Sequence, residues 1–305
     1  MLIRVVFLVM GIIFANLSYA EDLKFVIQDI GLYSLDSDCL HALNDRGQIL
    51  VNQGYIWSNG VLTDTGLFRP LGINNLGQVV GSTVANHNGA IWTNGAIEDL
   101  GDYWPHGIND LGEVVGSYGW GNFHAFMYDD GAMTDLGPIG TATFSLAFSV
   151  NNQGQVVGWA ANSDGISHAF IWDNGSGIVD LGTFGGILSL AYDINDYGQV
   201  VGSYLLSDYE SRGFLWENGT VTDLGSVGDG LALAINNRGY IVSIGRPMLW
   251  VEGEWFDLND LIPKHSGWLL QGTYGINNRN QIVGIGTIDG ESHVYLLTPK
   301  HKYKK

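Results

Sequence analysis

Cysteine is almost absent from the chain, since Cys39 is the only one among 305 residues. A single cysteine cannot form an internal disulfide, so packing and hydrogen bonding have to stabilise the folded chain. Cations are also scarce: 13 Lys and Arg stand against 31 Asp and Glu, and the formal net charge is −18. That charge argues against nucleic acids and anionic membrane surfaces as partners.

The motifs of common catalytic and metal sites are missing as well. The sequence contains no G-x-S-x-G, H-E-x-x-H or Walker-type loop. Asp36, Asp38, Cys39 and His41 lie close together in the segment DSDCLH and resemble a metal-binding segment. A zinc site also needs a second, spaced pair of ligands, which the sequence does not provide. We therefore expect no metal and no cofactor.

After residue 20 the sequence has no apolar run of membrane-spanning length. The first twenty residues hold one arginine, an apolar run from Val5 to Ala15 and the segment Ser18-Tyr19-Ala20. This pattern is typical of a secretory signal peptide cut after Ala20, and the run is short for the alternative, a membrane anchor. We predict a signal peptide at 1–20, a secreted domain at 21–299 (extracellular, periplasmic or in the cell envelope) and a basic tail at 300–305.

Glycine and repetition are what the sequence has in abundance. It contains 44 glycines, about twice the usual share. The phrase INNLGQVVGS at residues 73–82 occurs in seven versions, 30 to 44 residues apart. A repeat of this length decides the architecture. The leading asparagines of the seven versions are Asn44, Asn74, Asn109, Asn151, Asn195, Asn236 and Asn277.

Each repeat contains four short runs that predict β-strands. In residues 191–225 the runs are AYDIN, QVVGS, RGFLW and TVTDLG, rich in Val, Ile and aromatic residues and separated by Asn and Gly. We name these strands a, b, c and d in chain order. The tight turns that join a to b and c to d make both pairs antiparallel hairpins and exclude a parallel β-helix.

The repeated phrase has the residue preferences of a tight turn between two strands. Asn suits the first position of a type I turn, and the fourth position needs a residue that tolerates positive φ. Six repeats have glycine there and the seventh has Asn280. The c–d turns have a glycine in the matching place. The predicted a–b and c–d turn glycines are Gly47, Gly77, Gly112, Gly154, Gly198 and Gly239, and Gly60, Gly95, Gly131, Gly175, Gly219 and Gly253.

The array is expected to close into a ring. The last c strand, HVYLL at 293–297, is followed by no d strand, whereas a spare d strand, FVIQDIG at 25–31, precedes the first a strand. An open array would leave two bare edges, which favours aggregation. The sequence therefore predicts an all-β fold: a seven-bladed β-propeller of four-stranded antiparallel blades, closed by its N-terminal strand.

At the start of strand c the chain resembles the HAF-repeat family of bacterial exported proteins. His124-Ala125-Phe126 and His168-Ala169-Phe170 are the literal tripeptide, and Arg212-Gly213-Phe214, Arg246-Pro247-Met248 and His293-Val294-Tyr295 are variants. The ending, from DLNDLIPKHSGWLL to HVYLLTP, is also similar to that family's closing repeat. The resemblance covers residues 25–299 and implies an extracellular or envelope repeat protein, but it brings no established activity or catalytic residues.

The repeated polar residues of strands c and d have a structural interpretation. Strand d carries an aspartate before glycine in most repeats, and we expect it to accept backbone N–H bonds as a cap. The histidines of strand c are expected to fix the start of that strand through a hydrogen bond. These residues are Asp29, Asp64, Asp99, Asp135, Asp180 and Asp223, and His124, His168 and His293.

A ligand site is expected on one face of the ring. The a–b and c–d turns share one face, called here the turn face, and the variable b–c and d–a connections share the other, the loop face. Aromatic residues beside carboxylates in blades 3 and 4 suit a sugar ring or a peptide. The candidate ligand-binding residues are Tyr103, Trp104, Trp120, Phe123, Trp159, Asp102 and Asp164. The alternative is that several of these aromatics fill the space between blades.

Two functions of different classes are compatible with this interpretation. The sequence favours a non-catalytic binding or surface-interaction propeller with a glycan or protein ligand, exported from a bacterial cell. The alternative is a glycan-active hydrolase or lyase that uses carboxylates on the loop face. Such enzymes hold two carboxyls roughly 5–10 Å apart, and the sequence does not give the distance between Asp102 and Asp164.

Overall fold

The fold was analysed in a computed structural model of the chain. The structure describes residues 23–32, 42–51, 54–119, 121–140, 144–226 and 231–300. The predicted signal peptide, the DSDCLH segment, Trp120 and tail residues 301–305 lie outside the described residues.

Seven antiparallel sheets form the seven blades, and they confirm the predicted propeller. The strands of blades 1 to 3 are β2 Ile49–Val51, β3 Tyr55–Ser58 and β4 Val61–Asp64; β5 Leu67–Ile73, β6 Val79–Thr83, β7 Gly89–Thr93 and β8 Ala96–Gly101; and β9 Tyr103–Ile108, β10 Val114–Tyr118, β11 His124–Asp129 and β12 Ala132–Asp135. Blade 1 has three regular strands, and Leu43 occupies the place of its strand a through a single bridge to Ile49.

The remaining blades each have four strands. In blades 4 to 6 these are β13 Ser145–Val150, β14 Val156–Ala161, β15 Ser167–Asp173 and β16 Gly177–Gly182; β17 Leu188–Ile194, β18 Val200–Leu205, β19 Ser211–Glu217 and β20 Thr220–Gly225; and β21 Ala232–Ile235, β22 Ile241–Ser243, β23 Met248–Val251 and β24 Glu254–Asp257. A four-residue helix, α1 Leu258–Leu261, follows β24 and is capped by the Asp257 carboxylate.

Blade 7 is built from both ends of the described chain. It consists of β25 Leu269–Ile276, β26 Ile282–Ile288, β27 Glu291–Pro299 and the N-terminal strand β1 Phe25–Gly31. Strand β1 pairs antiparallel with β27, with Phe25 opposite Pro299. The predicted closure by the spare d strand is therefore confirmed.

Turn geometry agrees with the sequence expectation at all but one position. The six a–b turn glycines have φ between +73° and +88°, and Asn280 has φ +57°. Five of the six c–d turn glycines also have positive φ, each after another residue of positive φ. Gly175 is the exception: the c–d turn of blade 4 is longer, and Gly177 (φ +68°) takes the left-handed conformation instead. The prediction for Gly175 was wrong because the turn WDNGSG holds two glycines and the second one fits.

The hydrophobic core lies between neighbouring blades. One cluster joins Val157, Ala169 and Ile171 of blade 4 to Ala191 and Phe214 of blade 5. Since each blade buries one face against the next, the loops at the two ends of the strands remain at the surface, where they form the turn face and the loop face.

Candidate functional site

The repeated asparagines of the a–b turns form a closed ring around the propeller axis. Each Nδ2 donates to the backbone carbonyl of the asparagine in the next blade, at 2.8 to 3.0 Å, and Asn277 completes the circle by donating to Asn44. Each Oδ1 also accepts two backbone N–H groups of its own turn, as Asn151 does from Gln153 and Gln155. The asparagine ring therefore caps every turn and joins every blade to its neighbour.

A second ring lies beside the first, at the next position of each turn. The backbone N–H of each residue donates to the side-chain Oδ1 of its counterpart in the following blade, at 2.7 to 2.9 Å. Asn and Asp are arranged so that no two aspartates are adjacent, and the amide of Asn75 donates to the carboxylates of both Asp45 and Asp110. Separating the carboxylates by amides avoids like-charge repulsion between neighbouring blades. The ring members in blade order are Asp45, Asn75, Asp110, Asn152, Asp196, Asn237 and Asn278.

The two rings surround an axial cavity of about 150 Å³ on the turn face. Asp193 stands two residues before the turn asparagine Asn195, where the other blades have Ala, Gly or Ser. Its side chain is buried, with the residue only 6% exposed. Its Oδ1 accepts from the Ser149 hydroxyl at 2.8 Å, and its Oδ2 accepts from the backbone N–H of Ile235 at 2.9 Å. Asp193 thus joins blades 4, 5 and 6. Sequence reasoning missed this residue, although an Asp within an otherwise small-residue position was a visible signal.

The aspartates of strand d are caps, as expected. Each accepts from the backbone N–H two residues later, at 2.7 to 2.8 Å, including Asp257 at the start of α1. Several of them also hold a residue near the start of strand c. His168 Nδ1 lies 2.9 Å from both Asp180 oxygens, and Arg212 makes a paired contact with Asp223. The predicted role of the strand-c histidines is therefore confirmed for His168 and His293, while His124 stands further from Asp135, at 3.6 Å.

The electrostatics of these pairs follow from their contacts. The Arg212 guanidinium lowers the pKa of Asp223. In blade 3, burial and the Asp135 carboxylate raise the pKa of Tyr118 to about 12. Among the described residues no group of three His, Cys, Asp or Glu side chains is placed to hold a metal ion. In the same residues no helix is long and apolar enough to cross a membrane.

The predicted loop-face residues lie in different surroundings in the structure. Tyr103 packs against Tyr118 and Phe126, with ring centroids 5.8 and 5.2 Å apart, and contributes to the core between blades 2 and 3. Trp104 meets Phe123 edge to face at 5.8 Å, and Phe123 is 39% exposed. Trp159 lies half-buried in β14, whereas Asp102 and Asp164 are exposed in separate connections. Trp120 lies outside the described residues.

Exposed apolar side chains extend over much of the loop face. They lie in the b–c and d–a connections or at the adjoining strand ends of blades 2, 3, 4, 5 and 7, and the largest exposure is 79%, at Tyr209. Sequence reasoning found Phe123 but missed the others, although large apolar residues in predicted connections were a visible signal. These residues are Leu32, Phe68, Val84, Phe123, Phe144, Ile166, Ile187, Tyr209 and Leu269.

Comparison with known proteins agrees with the fold. No protein-family model matches the chain, and no curated protein matches it. A puromycin-hydrolysing peptidase of Mycobacterium tuberculosis is 12% identical over 92% of this chain and 53% of its own, with a TM-score of 0.52. A gluconolactonase from Xanthomonas campestris is 14% identical over 90% and 97% of the two chains, with a TM-score of 0.48. At such identity the likeness concerns the fold alone, because one fold carries many unrelated activities.

Proposed function

We propose that the protein is an exported, non-catalytic binding propeller of the HAF-repeat type, whose loop face holds a glycan or a protein ligand. The observation that carries the proposal is the exposed apolar surface of the loop face, with the Trp104–Phe123 pair in it. Exposed apolar side chains mark an interaction site where they are in contact with one another, as Phe123 is with Trp104. The first twenty residues support export, and the strand-c tripeptides support the family.

A glycan is the ligand that the composition of this surface favours first. Aromatic side chains stack on the apolar faces of sugar rings, and nearby carboxylates accept hydrogen bonds from sugar hydroxyls. Trp104 and Phe123 provide the aromatic part, and the exposed Asp102 beside β9 provides the carboxylate. A protein ligand would use the same apolar surface without needing Asp102.

The test is a glycan-array screen with residues 21–305, followed by affinity measurements on variants. Trp104→Ala and Phe123→Ala should each weaken binding by about 1–3 kcal/mol, the usual effect of truncating an aromatic anchor. Leu111→Ala is the matched control, because Leu111 is exposed to a greater extent but lies on the turn face. A large loss of melting temperature with unchanged affinity in the two aromatic variants would contradict the proposal and assign both side chains to packing.

A further inference from the structure

The charge of the chain is distributed unevenly along the sequence. Residues 70–211 contain 15 Asp and Glu and no Lys or Arg, so this segment accounts for −15 of the net charge of −18. It forms blades 3 and 4, nearly all of blade 2 and the first half of blade 5. Arg69 and Arg212 border the segment, and Arg212 is already bonded to Glu210 and Asp223. This half of the ring therefore attracts cations and repels anions.

On the loop face of the same half, aromatic residues lie next to one another across blades 3 and 4. The ring of Trp104 contacts the ring of Phe123. The Phe123 carbonyl accepts from the Ser145 N–H at 2.7 Å, so the backbone of Phe144 lies beside that of Phe123. Phe123 and Phe144 are 39% and 38% exposed. Two neighbouring aromatic side chains are thus open to solvent, with Trp104 behind one of them.

A carboxylate stands at each end of this aromatic row. Asp102 lies two residues before Trp104, and the Phe144 carbonyl accepts at 2.8 Å from the N–H of Ala161, which leads into the loop that carries Asp164. Both carboxylates are exposed, and neither forms a hydrogen bond or ion pair within the described part of the chain, whereas the strand-d aspartates cap the backbone. We call these five residues the loop-face strip: Asp102, Trp104, Phe123, Phe144 and Asp164.

The order of groups along the strip defines the ligand. The two carboxylates belong to connections of different blades, so an extended chain reaches both and a compact molecule does not. Aromatic rings stack on the apolar faces of sugar rings, while carboxylates form charge-assisted hydrogen bonds with ammonium groups. Sugars that carry a free amine provide both features in one chain. A sugar acid would find no Lys or Arg in residues 70–211 and would meet their negative charge.

We propose, building on the loop-face function proposed above, that the loop-face strip binds an oligosaccharide of amino sugars with free amines. Trp104, Phe123 and Phe144 contact the sugar rings. Asp102 and Asp164 pair with ammonium groups near the two ends of the bound segment. The cation-free half of the ring adds a long-range attraction for the same ligand.

The experiment compares two probes that differ in charge and share their sugar backbone. These are the β-1,4-linked hexamer of D-glucosamine and the matching hexamer of N-acetyl-D-glucosamine, in which acetylation removes the charge of each amine. Both are titrated into the full chain by calorimetry at about pH 6, where Asp carboxylates are ionised. The glucosamine hexamer should bind at least about tenfold more tightly than the acetylated one.

Variants separate the charged and aromatic parts of the strip. Asp102→Asn and Asp164→Asn should each weaken binding of the glucosamine hexamer about two- to fivefold and leave the acetylated hexamer unaffected. Phe144→Ala should weaken both hexamers about fivefold or more. Asp130→Asn is the matched control, because Asp130 is an exposed carboxylate of the same cation-free segment but lies in the c–d turn of blade 3, on the turn face. It should leave binding unchanged.

Four results would overturn the proposal. Equal affinity for the two hexamers, lost in Phe144→Ala, would refute the role of charge and leave the proposed loop-face glycan site standing. Binding of neither hexamer would refute the amino-sugar ligand, and the glycan array then decides the proposed function separately. An equal loss in Asp130→Asn and Asp102→Asn would mean diffuse attraction by net charge. Hexalysine binding as tightly as the glucosamine hexamer would assign the strip to basic peptides.

Discussion

At the scale of single residues, the close approach of strand a requires glycine at the second glycine position of the repeated phrase. A Cβ added at Gly158 would lie 1.9 Å from the carbonyl oxygen of Leu146, and the counterparts Gly116 and Gly202 would meet strand a at 2.0 Å. The cross-strand partner of Gly158 is Phe170, the aromatic residue of the strand-c tripeptide. The bare backbone of strand b thus lies between a carbonyl on one side and an aromatic ring on the other.

Gly158→Ala is therefore expected to destabilise the protein by about 3 kcal/mol or more, because backbone atoms of β13 have to move. Gly60→Ala is the control. Gly60 has φ +86° but no atom within 4 Å of an added Cβ, so only the backbone penalty of about 1–2 kcal/mol applies. Urea unfolding of both variants measures the difference, and equal losses would contradict the steric account.

At the scale of elements, side-chain bonds on the outer strands connect one blade to the next. The Tyr128 hydroxyl on β11 of blade 3 donates to the Glu98 carboxylate on β8 of blade 2. The hydrogen bond to Glu98, burial and the Glu98 charge together raise the pKa of Tyr128 from its ordinary value of 10.0 to about 12. The protonated phenol is thus the form that the folded state prefers.

This contact makes a prediction for alkaline pH. Because the folded pKa lies above the unfolded one, the stabilisation is complete below pH 10 and is lost as the pH rises from 10 to about 12. Tyr128→Phe should be less stable than the parent at pH 8 and should lose less stability over that pH interval. Urea unfolding at a series of pH values measures this, and parallel pH curves for the two proteins would exclude the Tyr128–Glu98 contact as the cause.

At the scale of the whole molecule, the ring is closed twice. Strand β1 closes the outer edge of blade 7, and His293 Nδ1 lies 2.8 Å from the Asp29 carboxylate. Nearer the axis, Asn277 donates to the carbonyl of Asn44, at the other end of the chain. Since the inner closure does not involve β1, loss of the outer strand leaves a weakened ring in place of an open array.

Deleting residues 22–31 should cost far more stability than deleting residues 301–305. The first deletion exposes the edge of β27 and removes two buried side chains, Phe25 and Ile30, which are worth about 1.5–3 kcal/mol each. The tail deletion leaves the described part of blade 7 intact. Thermal unfolding of the two truncated proteins measures the difference, and equal melting temperatures would refute the closure.

The sequence by itself determined the features that are local or periodic. Turn positions, the blade number and the outer closure could be predicted, because a turn depends on four consecutive residues and the number of blades follows from counting repeats. The caps formed by the strand-d aspartates were equally predictable, since each bonds to the N–H two residues later. Where two local solutions competed, as at Gly175 and Gly177, the sequence pattern favoured the wrong one.

The tertiary structure alone decided the contacts between residues that are distant in the sequence. The asparagine ring joins residues 30 to 44 positions apart, and Asn277 bonds to a residue 233 positions away, so no local pattern distinguishes it from ordinary turn chemistry. Tyr103 and Trp104 are adjacent and similar in sequence, yet one packs into the core and the other meets Phe123. Both outcomes depend on side chains from other strands that come together only in the folded blades, and a local sequence pattern does not contain that relation.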